Sequence, residues 1–238
     1  MSAPTPQSRP VVVLACQVFQ HWLENLLPAV PGWDGNITFF DYGLHAVPKN
    51  LREAIQKAID SIEQPSLIML GYGLCGNGLN KINAGKHFLL IPRSDDCIAV
   101  LLGSYQAYQR EMKSEPGTYY LSKGWLEAGT NPLEESQNLA KKYGPEKAAW
   151  LMDYQYHNYK RLMMVARNPE ELKTYQAKAL QIADYCSQWG MRYEEILGTD
   201  DYLQKLVEIT INFENIGDDF LLIPPGGILE QSQFIRDY

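Results

Sequence analysis

The chain has no excess of positive charge: 21 Lys and Arg stand against 28 Asp and Glu in 238 residues, a formal net charge of −7. That balance argues against a surface that tracks phosphates, and so against a nucleic-acid partner. Long hydrophobic runs are missing too, with none approaching the roughly 20 residues that span a bilayer. The opening MSAPTPQSRP lacks the apolar stretch of a secretory signal. A cytoplasmic protein with no membrane partner is expected. Only 4 cysteines occur, too few to staple a fold of this size, so each is first a thiol, a small buried hydrophobe or a metal ligand. No CxxC, HExxH, GxSxG or Walker A pattern is present, which removes the common zinc, hydrolase and P-loop readings. With 45% hydrophobic and 21% charged residues, the chain has the composition of an ordinary globular protein with a substantial core.

Residues 1–10 read as a polar, disordered or extended tail. Val11 to Ala15 then forms a continuous apolar run of the kind found in strands buried on both faces. Val18 to Leu27 repeats at helical spacing until Pro28, and Ile37 to Phe40 reads as a second strand. Pro48 opens a helix with Leu51, Ile55 and Ile59 on one face, and Leu67 to Leu70 is the next strand, completing a βαβ unit. After a Gly-rich turn, His87 to Ile91 reads as a strand and Ile98 to Met112 as a helix. Thr118 to Leu126 has strand composition, and Pro132 to Trp189 reads as three helical stretches. Arg192 to Leu197, Asp201 to Ile211 and Phe220 to Ile223 return to strand, helix and strand. The expectation is one α/β domain over 11–238. It has a mostly parallel sheet flanked by helices and a helical insertion at about 132–189, and the closing strands either join the main sheet or form a second lobe.

Open α/β sheets bind ligands at the carboxyl ends of their strands. Cys16 falls at the end of the first strand, Cys75 in the Gly-rich turn after the third, and Cys97 just past the fourth; Cys186 extends a buried helix face. Three thiolates converging from separate loops suit a metal ion or an iron–sulfur cluster, and three ligands leave a position open. Cys97, at a helix start, also reads as a catalytic nucleophile, and all three read equally as small residues packed at strand ends. In GYGLCGNG the residues Gly73, Gly76, Asn77 and Gly78 allow positive φ and close approach of the backbone to a small anion. Its GxGxxG match, Gly71 to Gly76, has no following amphipathic helix or placed acid to support a nicotinamide dinucleotide. Arg93 is a candidate anion anchor, and Asp96 a helix cap or a group orienting the ligand. The histidines have no ligand spacing.

The blocks LACQVFQHWLENL, GYGLCGNGL, IPRSDDCIAVLLGS and PGTYYLSKGW, in that order, resemble the bacterial and archaeal family called domain of unknown function 1638, from Val11 to Pro225. Cys16, Cys75, Cys97, Arg93, Asp96, Gly103 and Ser104 match its blocks, whereas Asp95 stands where the family commonly has histidine. The resemblance implies a soluble α/β protein of uncharacterised activity, with some relatives associated with corrinoid-dependent methyl transfer and one-carbon metabolism. The DxHxxG signature of a cobalamin-binding domain is absent, so bound cobalamin is not expected. The leading expectation is a soft metal or iron–sulfur centre on Cys16, Cys75 and Cys97, acting on or carrying a small anionic metabolite. The alternatives are a metal-free accessory protein that binds a metabolite or a protein partner, linked to corrinoid methyl transfer, and a thiol-dependent transferase using Cys97.

Overall fold

The apolar runs become three adjacent parallel strands: β1 (Val11–Cys16), β3 (Leu67–Gly71) and β4 (Phe88–Pro92). β2 (Trp33–Phe40) and β8 (Phe220–Ile223) complete a five-stranded sheet of order β2-β1-β3-β4-β8. In register, Leu14 lies beside Thr38 on one side and Leu70 on the other; β8 runs antiparallel to β4, pairing Leu89 with Ile223. Every residue of β3 and β4 is buried, which explains why these segments show no alternation. The structure, a computed structural model, describes residues 5–6, 9–30 and 33–236. Among the described residues no helix is long and apolar enough to cross a membrane.

After α1 (Gln20–Leu26), Pro48 supplies the fixed φ of a first helical position and starts α2 (Pro48–Ser61). Its Leu51, Ile55 and Ile59 are buried at four-residue spacing, each contributing about 1.5–3 kcal/mol by leaving water. The helix expected from Ile98 to Met112 is two helices, α3 (Cys97–Leu101) and α4 (Tyr105–Ser114). Gly103 at φ +86 breaks the run between them.

By its contacts the chain divides into two compact units, residues 1–105 with 200–238, and residues 106–199. The second carries its own parallel sheet, β5-β6-β7, from Thr118–Ser122, Arg161–Ala166 and Arg192–Leu197. The stretch 132–189 is therefore not all helical as expected. β6 lies within it, between a helix at Pro145–Tyr156 and the long helix at Pro169–Cys186. All six β6 residues are buried, and a strand buried on both faces carries no period to separate it from a buried helix. Arg161 at its start is satisfied by Glu111 at 2.8 Å, Glu194 at 3.2 Å and the Thr118 hydroxyl at 2.8 Å. Cys186 is fully buried among Leu121, Met152, Leu162 and Ile182, the packing role its spacing implies. The closing strands separate, β7 into this sheet and β8 into the first.

Of the expected tail, residues 1–4 and 7–8 lie outside the described residues. Arg9 is tied down: it donates to the Lys86 carbonyl at 2.6 Å, and its guanidinium sits 4.7 Å above the Phe88 ring.

Candidate functional site

The carboxyl ends of the four parallel strands gather the chemistry of the first unit. Cys16 is the last residue of β1, Asp41 follows β2, Tyr72 follows β3, and Cys97 opens α3 after β4. Between β3 and β4, Cys75, Gly76 and Asn77 are consecutive left-handed residues with φ of +48, +59 and +71. Two of the three carry a Cβ, and a non-glycine residue there costs roughly 1–2 kcal/mol. The surroundings hold this turn in place. Leu74 N–H donates to Ser94 O at 2.8 Å and Cys75 N–H to Asp95 O at 2.9 Å, which staples the turn to the loop before α3. Gly73 permits the approach, since a Cβ on it would stand 2.5 Å from the main-chain carbon and oxygen of Asp96.

That staple brings the thiols together. Cys75 Sγ and Cys97 Sγ are 3.4 Å apart, and Cys16 lies near enough to Cys97 for each thiol to perturb the other. The three form a chain with Cys97 in the middle, each less than one-tenth exposed. Main-chain N–H groups already face two of the sulfurs, Val18 towards Cys16 and Gly73 towards Cys97. The hydrogen bond with Cys97, together with burial, pushes the Cys16 thiol well above its usual range. At Cys97 the hydrogen bond from Cys16 pulls downward, but the Cys75 contact and burial outweigh it and hold that thiol well above its usual range as well. A nucleophilic Cys97 would need the thiolate, which this environment disfavours.

Beside the sulfurs lies Tyr72, 2% exposed, its hydroxyl without a hydrogen-bond partner among the described residues. Burial and then the neighbouring Cys16, Cys97 and Cys75 push this phenol far above its usual range. Asn77 Oδ1, on the same left-handed turn, is likewise buried without a partner. Among the described residues, no group of three or more His, Cys, Asp and Glu side chains is placed so that it could hold a metal ion.

The sequence of residues 39–207 matches a family described as a protein of unknown function, DUF1638. The chain belongs to the DUF1638 family. The matched span holds Tyr72, Cys75, Arg93, Asp96 and Cys97 but begins after Cys16. No curated protein and no solved structure matches the chain.

Several polar residues expected at this DUF1638 site have structural work. Arg93 Nε and NH2 donate to the carbonyls of Gln233 and Ile235 at 2.7 and 2.6 Å, so the proposed anion anchor holds the closing segment. Asp96 caps α3, accepting from Ile98 N–H at 2.8 Å. Gly73 faces Asp96, and Gly78 faces Leu51 at 2.5 Å from its would-be Cβ, so both glycines serve packing. Gly76 is exposed, with Pro48 Cγ at 3.9 Å from its would-be Cβ. His87 is buried with Nδ1 accepting from Ser66 N–H at 3.2 Å, while His21 and His45 are exposed. Sequence reasoning missed Tyr72 and Asp41. The available signal was position: each is the first residue beyond a strand on the edge where the cysteines gather.

Proposed function

We propose that this protein binds a single soft metal ion through Cys16, Cys75 and Cys97. The observation that carries the reading is the gathering of three buried thiols from three different strand ends, with Cys75 and Cys97 3.4 Å apart. Thiolates held about 2.3 Å from a tetrahedral zinc stand about 3.8 Å from one another. The Cys75–Cys97 spacing therefore needs only a small opening, while Cys16 and Cys75 must turn in from the two ends of the chain of thiols. An iron–sulfur cluster spreads its cysteines over several iron atoms and needs a wider spacing, so one ion suits the cluster better. Zinc or copper(I) matches the all-sulfur donor set. Binding would displace the thiol protons, and the N–H groups of Val18 and Gly73 would then support thiolate charge. On this reading Gly73, Gly78, Arg93 and Asp96 hold the loops that carry the ligands.

The test uses the full chain purified anaerobically and titrated with cobalt(II) and zinc. One ion per chain is expected, with sulfur-to-cobalt charge-transfer absorption that is lost in Cys16→Ser, Cys75→Ser and Cys97→Ser but kept in Cys186→Ser. Substoichiometric metal, unaffected when all three site cysteines become serine, removes the reading.

A further inference from the structure

We infer that Cys75 and Cys97 are a redox pair, which a compact peroxide closes into a disulfide and a small dithiol opens again. The pair needs no metal, only the contact between two thiols. Their sulfurs are 3.4 Å apart and a disulfide holds them at about 2.0 Å, so an approach of about 1.4 Å makes the bond. The backbones that carry them are already fastened side by side, with Leu74 N–H on Ser94 O at 2.8 Å and Cys75 N–H on Asp95 O at 2.9 Å. The remaining approach falls to the two side chains.

Cys75 also sits where packing alone would favour a different residue. Its φ is +48, a conformation that strains any residue with a Cβ and that glycine adopts freely. Gly71, Gly73, Gly76 and Gly78 surround it in the same turn. A thiol kept at such a position points to a use for the sulfur.

The two sulfurs differ in access. Cys75 and Cys97 are each 8% exposed, which admits a compact oxidant and excludes a bulky one. Gly76 beside Cys75 is exposed, whereas Cys97 opens α3, whose five residues are all buried. Cys75 is therefore the sulfur that the oxidant meets first. It attacks one oxygen of hydrogen peroxide, the O–O bond breaks, and the thiol proton leaves with the departing hydroxide as water. The Cys97 sulfur then attacks the sulfenic sulfur of Cys75: the S–O bond breaks, the S–S bond forms, and a second water leaves. Two thiols lose two electrons and the peroxide gains them. Dithiothreitol reverses the change by two thiol–disulfide exchanges and ends as its own cyclic disulfide.

The experiment treats the reduced, chelator-washed full-length chain with hydrogen peroxide and quenches with catalase. Thiols are then counted in denaturant and linked peptides mapped by mass spectrometry. Of the 4 thiols per chain, the two of Cys75 and Cys97 should be lost together as one linked peptide and recovered with dithiothreitol. The link should form at least about tenfold faster in the folded chain than in urea, where nothing holds the sulfurs together. In Cys97→Ser, dimedone should trap the sulfenic acid on Cys75. Survival of every thiol, a link through Cys16 or Cys186, an equal rate in urea, or no dimedone adduct on Cys75 overturns the inference. Cobalt binding is read separately, so either reading can fail while the other stands.

Discussion

Replacing Gly73 by alanine tests whether the contact between the Gly-rich turn and the loop before α3 is what assembles the thiol cluster. The new methyl group would stand 2.5 Å from the carbonyl carbon and oxygen of Asp96 and 2.8 Å from its Cα. All three atoms are main chain, so no side-chain rotation relieves the clash. Forcing such overlap costs about 1–3 kcal/mol. If the turn withdraws instead, the two main-chain hydrogen bonds from Leu74 and Cys75 are lost at about 1 kcal/mol each. Either route gives a destabilisation of about 1–3 kcal/mol, and withdrawal also separates Cys75 from Cys97. The assay is pulsed thiol labelling along a urea series. Modification of Cys16, Cys75 and Cys97 reports the first unit, and Cys186 reports the second. With a urea slope of about 1–3 kcal/mol per molar, the labelling midpoint of the three should fall by about 1 M or more, while that of Cys186 holds. Gly217→Ala serves as a control, since a Cβ there meets nothing within 4 Å. An unchanged midpoint in Gly73→Ala would refute the reasoning.

Other perturbations probe different layers. Burial, and then Lys86 and Arg9, lower the His87 pKa below its ordinary 6.5, and its Nδ1 lone pair is occupied by the Ser66 N–H. The unfolded chain then takes up the proton first, so stability is whole above pH 6.5 and falls as pH drops from there through the lowered value. Urea midpoints measured from pH 8 to 5 should show this limb, and His87→Asn should flatten it. Arg161→Met removes the buried guanidinium 2.8 Å from Glu111 and 3.2 Å from Glu194, and among the described residues only Glu194 keeps a second cation, Arg192 at 3.6 Å. A loss of about 3–5 kcal/mol is expected, read as an earlier Cys186 labelling midpoint. Asp96→Ala removes the cap of α3 and should cost about 1 kcal/mol in the first unit's midpoint.

Length, burial and backbone freedom decided which parts of this fold could be read beforehand. VVVLA and LIML had to be strands because a helix-length pattern does not fit between their flanking turns, whereas RLMMVA sat inside a long helical stretch with nothing to mark it. Its residues are buried on both faces, and two of the six are methionine, a good helix former. The antiparallel entry of β8 was equally hidden, since strand direction follows from where the preceding helix leaves the chain. Convergence of Cys16, Cys75 and Cys97 on one sheet edge was readable from element order alone. Their contact was not: it depends on Gly73 tolerating the Asp96 main chain and on three successive left-handed residues. Arg93 misled because a guanidinium at a strand end looks the same in sequence whether it awaits an anion or grips a distant carbonyl.

The grip of Arg93 on Gln233 and Ile235 is one of several links to the end of the chain. Leu229 O receives Lys81 N–H at 2.7 Å, Lys81 reaches Glu230 at 2.8 Å, and Arg236 returns to the Arg93 carbonyl at 2.6 Å. These links and β8 join residues near 90 to residues beyond 219, so the first unit cannot close before residues 219–236 have left the ribosome. Throughout synthesis of residues 106–199, which form a separate compact unit, β4 waits with an unpaired edge and the loops bearing Cys75 and Cys97 lack their fastening. The loops bearing Cys75 and Cys97 are thus fastened only once residues 219–236 are in place, and the cell's pools of metal and oxidant have access to their thiols until then.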